Sequence, residues 1–290
     1  MDNVSKYTAS RGAFSQSWQI NSNHPLFDLK LKDTWAYRDL LWLLVHRDFV
    51  SFYKQTIFGP LWFIIQPVLT TITYTFVFGA AGISTDGIPR PLFYLAGVTV
   101  WNFFAECLTK TSTVFKDNSN IFSKVYFPRL ILPLSIVVSG LIRFGVQFLL
   151  FLIVLVYFMI QGADVHPNIY MLYIFLMLPL LGLLGLGFGM AISAMTAKYR
   201  DLSFLITFGI QLLMYGSAVI VPVAAMSPKY RVFIQANPVT SIIEIFRYGF
   251  LGKGVFSIES VIYTTVFTLL SLGAGLIIFN RVEKNFVDTI

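Results

Sequence analysis

The sequence predicts an all-α polytopic membrane protein: six transmembrane helices, an N-terminal amphipathic interface helix, a short cytoplasmic helix and two short re-entrant helices on the outer side. Three observations lead there. The chain is 56% hydrophobic and only 12% charged, where soluble domains carry roughly 25% charged residues, and its mean hydropathy is +0.73. Apolar stretches at about 60–80, 92–114, 136–160, 169–195, 203–223 and 260–280 each approach the ~20 residues that cross a bilayer. Lys and Arg are distributed unevenly between the loops: seven in residues 1–59, four in 110–135, two in 196–202 and two after 280, fifteen on one side against five on the other. By the positive-inside rule both termini are cytoplasmic. With 290 residues the chain holds one transmembrane domain, residues 33–290, behind a polar tail, residues 1–32. The net charge of +7 follows from the loop asymmetry and calls for no nucleic-acid partner.

The tail contains Lys6, Arg11, His24 and Lys30 and no apolar core of signal-peptide type. Residues 33–58, "DTWAYRDLLWLLVHRDFVSFYKQTIF", open with Asp33 as an expected N-cap and place Asp39, His46, Arg47 and Lys54 on one helical face, with Tyr37, Leu41, Leu44 and Phe52 opposite. This segment is too charged to cross the membrane. It reads as an interface helix on the inner leaflet, ending at Gly59-Pro60 where span one begins.

Between spans two and three lies "KTSTVFKDNSNIFSKVYFPRLILPLS". Its Asn and Ser residues offer caps for a short cytoplasmic helix from about Ile121 to Phe127, and Pro128 ends it because a residue before proline is pushed out of the α region. The helix presents Ile121, Phe122, Val125 and Tyr126 at the membrane surface. They rest either on lipid headgroups or on a cytoplasmic partner.

On the outer side, Ser227-Pro228 and Asn237-Pro238 each put a capping residue before proline at a first helical position, predicting helices over about 228–235 and 238–250, the second closed by Gly252 and Gly254. A re-entrant placement is preferred to a surface cap. Glu244 and Arg247, three apart, are expected to form a helix pair of about 0.2–0.5 kcal/mol, so Glu244→Gln should have a modest effect. Within the spans, Glu106 and Lys110 are spaced for an ion pair, and Arg143 needs a partner from another helix. Gly185, Gly189 and Ser193 suit close helix packing.

No phosphate loop, H-E-x-x-H or G-x-S-x-G motif is present, the three histidines are scattered, and the single cysteine, Cys107, is in an apolar segment, so no catalytic or metal site is predicted. The blocks "HRDFVSFYKQTIFGPLWFIIQP" (46–67), "SKVYFPRLILPLS" (123–135), "YRDL" (199–202), "NPVTSIIEIFRYGFLG" (237–252) and "NRVEKNFVDTI" (280–290) resemble, in order and spacing, the ABC-2 type permeases of bacterial polysaccharide export. The resemblance implies the ABC-2 fold in the bacterial inner membrane, with two copies of the chain forming the pathway. Two separate ABC ATPase subunits would carry ATP and Mg, leaving this chain without a cofactor or an enzymatic role. It implies that the 121–127 helix is an ATPase coupling helix, with Phe122, Lys124, Tyr126, Phe127 and Arg129 filling a groove on that partner. It implies as cargo a polyprenyl-linked glycan, foremost O-antigen, with capsule or teichoic acid as alternatives. An exporter of a small amphiphile shares the architecture, and a membrane-embedded transferase would need convergent acids that the sequence does not show.

Two spans then gain a reading. Trp62, Gln66, Thr70 and Thr73 of span one, and Phe204, Phe208, Gln211 and Tyr215 of span five, each fall on one helical face. The amides either bond to neighbouring helices or, with the rings, form a translocation path on which sugars slide. Pro228, Pro238, Glu244 and Arg247 mark the expected outer gate. Phe151 of span three is expected to face lipid.

Overall fold

The computed structural model describes residues 31–54, 56–118, 127–199 and 201–286, and among these the chain forms helices and turns without a strand. The interface helix is broken in two, α1 (Leu31–Ala36) and α2 (Arg38–Tyr53). Asp33 therefore lies inside α1 rather than at an N-cap, and Tyr37 stands at the break without a side-chain capping bond. α2 stops at Tyr53, before the predicted end, and the turn into the membrane is a 3-10 turn, Gly59–Leu61. Gly59 takes φ +51° there, a left-handed conformation that glycine adopts without steric cost. Leu44 and Val45 are buried while Asp39 and His46 are exposed, as the periodicity requires. Trp35, Trp42 and Leu43 are exposed as well, so the element has a second apolar side, turned away from the bundle.

Among the described residues five helices are long and apolar enough to cross a membrane: α3 (Trp62–Ala80), α4 (Arg90–Ser112), α6 (Ile131–Ile160), α7 (Ile174–Lys198, entered through a 3-10 turn at Ile169–Tyr173) and α11 (Ile258–Phe286). They coincide with predicted spans one to four and six. The fifth predicted span is helical over only part of its length. α8 (Leu202–Tyr215) has 14 residues, about 21 Å at 1.5 Å per residue, short of the ~30 Å hydrocarbon core. Residues 216–222 continue as turns, with Ala218, Val219 and Ile220 buried. A one-turn helix, α5 (Val114–Asp117), follows α4.

α4 is the centre of the bundle, packed against α3, α6, α7, α8 and α10. The small-residue series on α7 makes its contact with α4 possible: a Cβ on Gly189 would meet the Thr111 side chain at 2.5 Å, one on Gly185 would meet Cys107 Cβ at 2.8 Å, and Ser193 is fully buried. Such contact is what small residues give to membrane helices. A second core at the opposite end from the outer helices joins Leu44, Phe115, Phe127, Ile131 and Phe279, with the Phe115 and Phe279 rings stacked at 4.7 Å.

The two helices expected on the outer side form as α9 (Pro228–Gln235) and α10 (Pro238–Leu251), in different surroundings: α9 has no buried residue, whereas every residue of α10 except Tyr248 is buried. Asn237 caps α10 by accepting from Val239 N at 3.0 Å, and Gly252 closes it at φ +72°. Ser227 precedes α9 without a side-chain bond.

Candidate translocation face and its buried charge clusters

The two predicted stripes are uncovered in the chain. On α3, Trp62, Gln66 and Thr73 are exposed and Thr70 is half-buried; on α8, Phe204, Phe208, Gln211 and Tyr215 are all exposed. α3 and α8 are linked where the Tyr74 hydroxyl donates to Met214 Sδ at 3.5 Å. Exposed apolar residues also cover α6, at Leu149, Ile153 and Ile160, and α11, at Ile262, Leu269 and Leu270. What sets the α3 and α8 faces apart is their glutamines, which a face turned only to lipid has no use for.

Phe151 is corrected. It is fully buried, packed against Phe246 at 5.1 Å and Phe250 at 5.7 Å between ring centroids. The exposed residues of α6 include Leu149 and Ile153 on its other side. A uniformly apolar span carries no periodic signal of which face turns inward.

The intramembrane charges gather as predicted in part. Glu106 takes Lys110 at 2.7 Å and pairs with Arg143, whose partner thus comes from α4. Arg143 also lies 5.7 Å over the Phe63 ring of α3, so one guanidinium touches three helices. Near it Asn102 Nδ2 donates to Gln147 Oε1 at 3.3 Å.

The Glu244 and Arg247 pair is not the exposed helix pair that its spacing suggested. Their side chains are 5% and 1% exposed, 3.4 Å apart. Arg247 donates to Ala218 O at 2.6 Å, Val219 O at 2.9 Å and Phe93 O at 3.4 Å, and its Cζ lies 3.6 Å over the Phe93 ring. Glu244 Oε2 accepts from Val255 N at 3.1 Å. Arg247 thereby satisfies carbonyls that the early end of α8 leaves without helical donors. This is how a broken helix is tolerated in a buried position. Ala218 and Val219 are 29 and 28 residues from Arg247 and Phe93 is 154 away, beyond the reach of local spacing. Pro228 opens the exposed α9 and Pro238 the buried α10.

Of the predicted coupling residues, Phe122, Lys124 and Tyr126 lie outside the described residues. Arg129 is half-buried. Phe127 is 6% exposed within the second core, where its ring packs against this chain. Among the described residues no three His, Cys, Asp or Glu side chains gather as a metal site.

Residues 39–251 match the family described as ABC-2 type transporter. The chain belongs to the ABC-2 type transporter family. It is similar to the O-antigen export system permease protein RfbA of Klebsiella pneumoniae, 30% identical over 266 residues that cover 90% of this chain and 98% of that protein. It is 23% identical over 267 residues to the RfbA protein of Myxococcus xanthus, and 21% identical over 231 residues, 78% of this chain and 86% of the relative, to the polysialic acid transport protein KpsM of Escherichia coli. The matched segment of this ABC-2 chain runs from α2 to the end of α10, so both stripes and both charge clusters fall within it. The ABC-2 chain is a multi-pass membrane protein.

Proposed function

We propose that this chain is the membrane subunit of an ATP-driven exporter that moves a polyprenyl-linked polysaccharide, O-antigen first among the candidates, across the bacterial inner membrane. The observation that carries this reading is the pair of uncovered stripes on α3 and α8, in a chain whose relatives over nearly their whole length are named for O-antigen export. Rings suit a moving polymer because flat contact tolerates sliding, while the amides and hydroxyls of Gln66, Gln211, Thr70 and Thr73 exchange bonds with sugar hydroxyls. The pathway forms between two copies of the chain, and ATP and Mg bind two ABC ATPase subunits that meet the cytoplasmic segment around 121–129. Both termini are cytoplasmic. α10 dips into the membrane from outside as a fixed element, and the exposed α9 is the movable part of the outer gate. The KpsM relative favours a second reading, capsule export, at lower identity and coverage.

The test compares Phe208→Ala and Tyr215→Ala with Leu149→Ala and Ile153→Ala, all at matched membrane levels, scored by surface glycan and by ATPase co-purification. Loss of an aromatic contact worth about 0.5–1.5 kcal/mol should lower export roughly two- to tenfold, with assembly intact and the α6 controls unchanged. Equal effects in both sets would make the α8 stripe a packing surface and place the path elsewhere.

A further inference from the structure

Where α2 crosses the ends of α4 and α6, at the face that the Lys and Arg distribution assigns to the cytoplasm, the chain forms a recess of about 250 Å³. It is lined by Arg47 and Asp48 of α2, Lys110 of α4, Asp117 of α5, and Leu132 and Ile136 of α6. The volume lies under the ~300–1,000 Å³ of drug-sized pockets but is many times the ~30 Å³ share of one water. It suits a single small polar group.

The lining carries two cations and two carboxylates, and its valences are only partly used. Arg47 donates to Asp48 Oδ1 through Nε at 3.1 Å and Nη2 at 2.8 Å, and Asp117 Oδ2 accepts from the Thr113 hydroxyl at 2.6 Å. Among the described residues Asp48 Oδ2 and Asp117 Oδ1 accept no hydrogen bond, and Lys110 touches Glu106 at 2.7 Å while feeling the Asp48 charge across the recess. A ligand that satisfies this set needs anionic oxygens for Arg47 and Lys110 and an N–H donor cation for Asp48 and Asp117. Leu132 and Ile136 add an apolar side where a hydrocarbon chain can begin.

Depth fixes the source. α6 has 30 residues, about 45 Å, so it exceeds the ~30 Å hydrocarbon core and its first turns stand among the headgroups. Trp35 and Trp42, 72% and 61% exposed, are the residue type that gathers at that level. We infer that the recess binds the headgroup of one phosphoethanolamine phospholipid from the inner leaflet, its phosphate on Arg47 and Lys110 and its ammonium on Asp48 and Asp117. A pyrophosphate head brings several negative charges and no ammonium, and Asp48 and Asp117 oppose it. A glycerol head also lacks the ammonium, and a choline head has one that cannot donate a hydrogen bond. The site is independent of which cargo the exporter carries.

The full chain is placed in nanodiscs containing equal parts of phosphatidylethanolamine, phosphatidylglycerol and phosphatidylcholine, and retained lipids are counted by native mass spectrometry. Phosphatidylethanolamine should be enriched about tenfold over the others, as expected for a charge-assisted pair. Asp48→Asn with Asp117→Asn should remove the enrichment, while Asp117→Glu should keep it. Headgroup methylation in the wild-type chain, which needs no variant to fold, should lower retention stepwise from ethanolamine to choline. Equal retention of the three lipids, an unaffected double variant, or displacement of phosphatidylethanolamine by polyprenyl pyrophosphate would each overturn the assignment.

Discussion

At the end of the molecule proposed to face outward the side chains of Glu244 and Arg247 are 5% and 1% exposed, whereas at the other end Glu106, Lys110 and Arg143 are 20%, 42% and 7% exposed. The two clusters hold the same chemistry in different company. Arg247 spends its donors on backbone carbonyls of a broken helix, and no water can replace it there. The inner charges bond chiefly to one another across α4 and α6, with Lys110 partly in water. The difference separates a cation that completes the backbone from a cluster that ties helices together and can rearrange.

The largest expected effect breaks the outer cluster. Arg247→Ala leaves Glu244 buried without its cation and Ala218 and Val219 without donors, so destabilisation of about 3–5 kcal/mol is expected, read as loss of folded protein in detergent or a large fall in melting temperature. This replaces the modest effect that helical spacing alone suggested for Glu244→Gln, which should now fall between Arg247→Ala and the wild type. Arg247→Lys should recover only part, because an ammonium cannot fork to three carbonyls and lie flat on Phe93. If Glu244→Gln with Arg247→Met restores much of the melting temperature, the cost of Arg247→Ala comes from the stranded Glu244 charge and not from the carbonyls left without donors.

The inner cluster should yield less. Glu106→Gln deprives Arg143 of its anion and is expected to cost about 1.5–3 kcal/mol as a lost charged hydrogen bond, reduced by the partial exposure of Glu106. Lys110→Met should cost under about 1 kcal/mol, since its ammonium is 42% exposed and water takes its place. Melting curves of the two variants measured side by side give the order. Equal costs would mean that the cluster is sealed like the outer one.

The contrast also shows what could be read from the sequence. Helix ends marked by proline and glycine were legible, because Pro228, Pro238 and Gly252 act through local backbone geometry. The packing of Gly185 and Gly189 was legible for the same reason, as a spacing of four on one helix. The early end of α8 was not, since an apolar run through 216–222 looks like a continuing span and the donor that makes its ending possible is Arg247, from another helix. Nor was the inward turn of Phe151, because apolar residues surround α6 on all sides in sequence. Of the candidate site, the stripes could be found from periodicity, while the recess under α2 required three separate segments to meet.

The smallest expected effect comes from charges at the wet surface. Asp164 Oδ2 holds Lys253 Nζ at 2.7 Å and its Oδ1 lies 2.9 Å from His166 Nε2, joining the turn after α6 to the turn after α10. The hydrogen bond from Lys253 holds the Asp164 carboxyl below the ordinary carboxylate range, with the Lys253 charge and His166 adding to it. A depressed pKa contributes stability that is present above the ordinary value of about 3.9 and is lost as pH falls through the folded value. Asn168 already ties this segment to the last turn of α10, its N donating to Gly249 O at 2.9 Å and its Nδ2 to Tyr248 O at 2.8 Å, so little depends on the ion pair. Asp164→Asn should therefore lower the melting temperature slightly at neutral pH, by less in salt of about 1 M where the Debye length is near 3 Å, and not at all once pH is below the carboxyl's folded pKa. A fall approaching that of Arg247→Ala would contradict the division between charges that complete buried backbone and charges that decorate a wet surface.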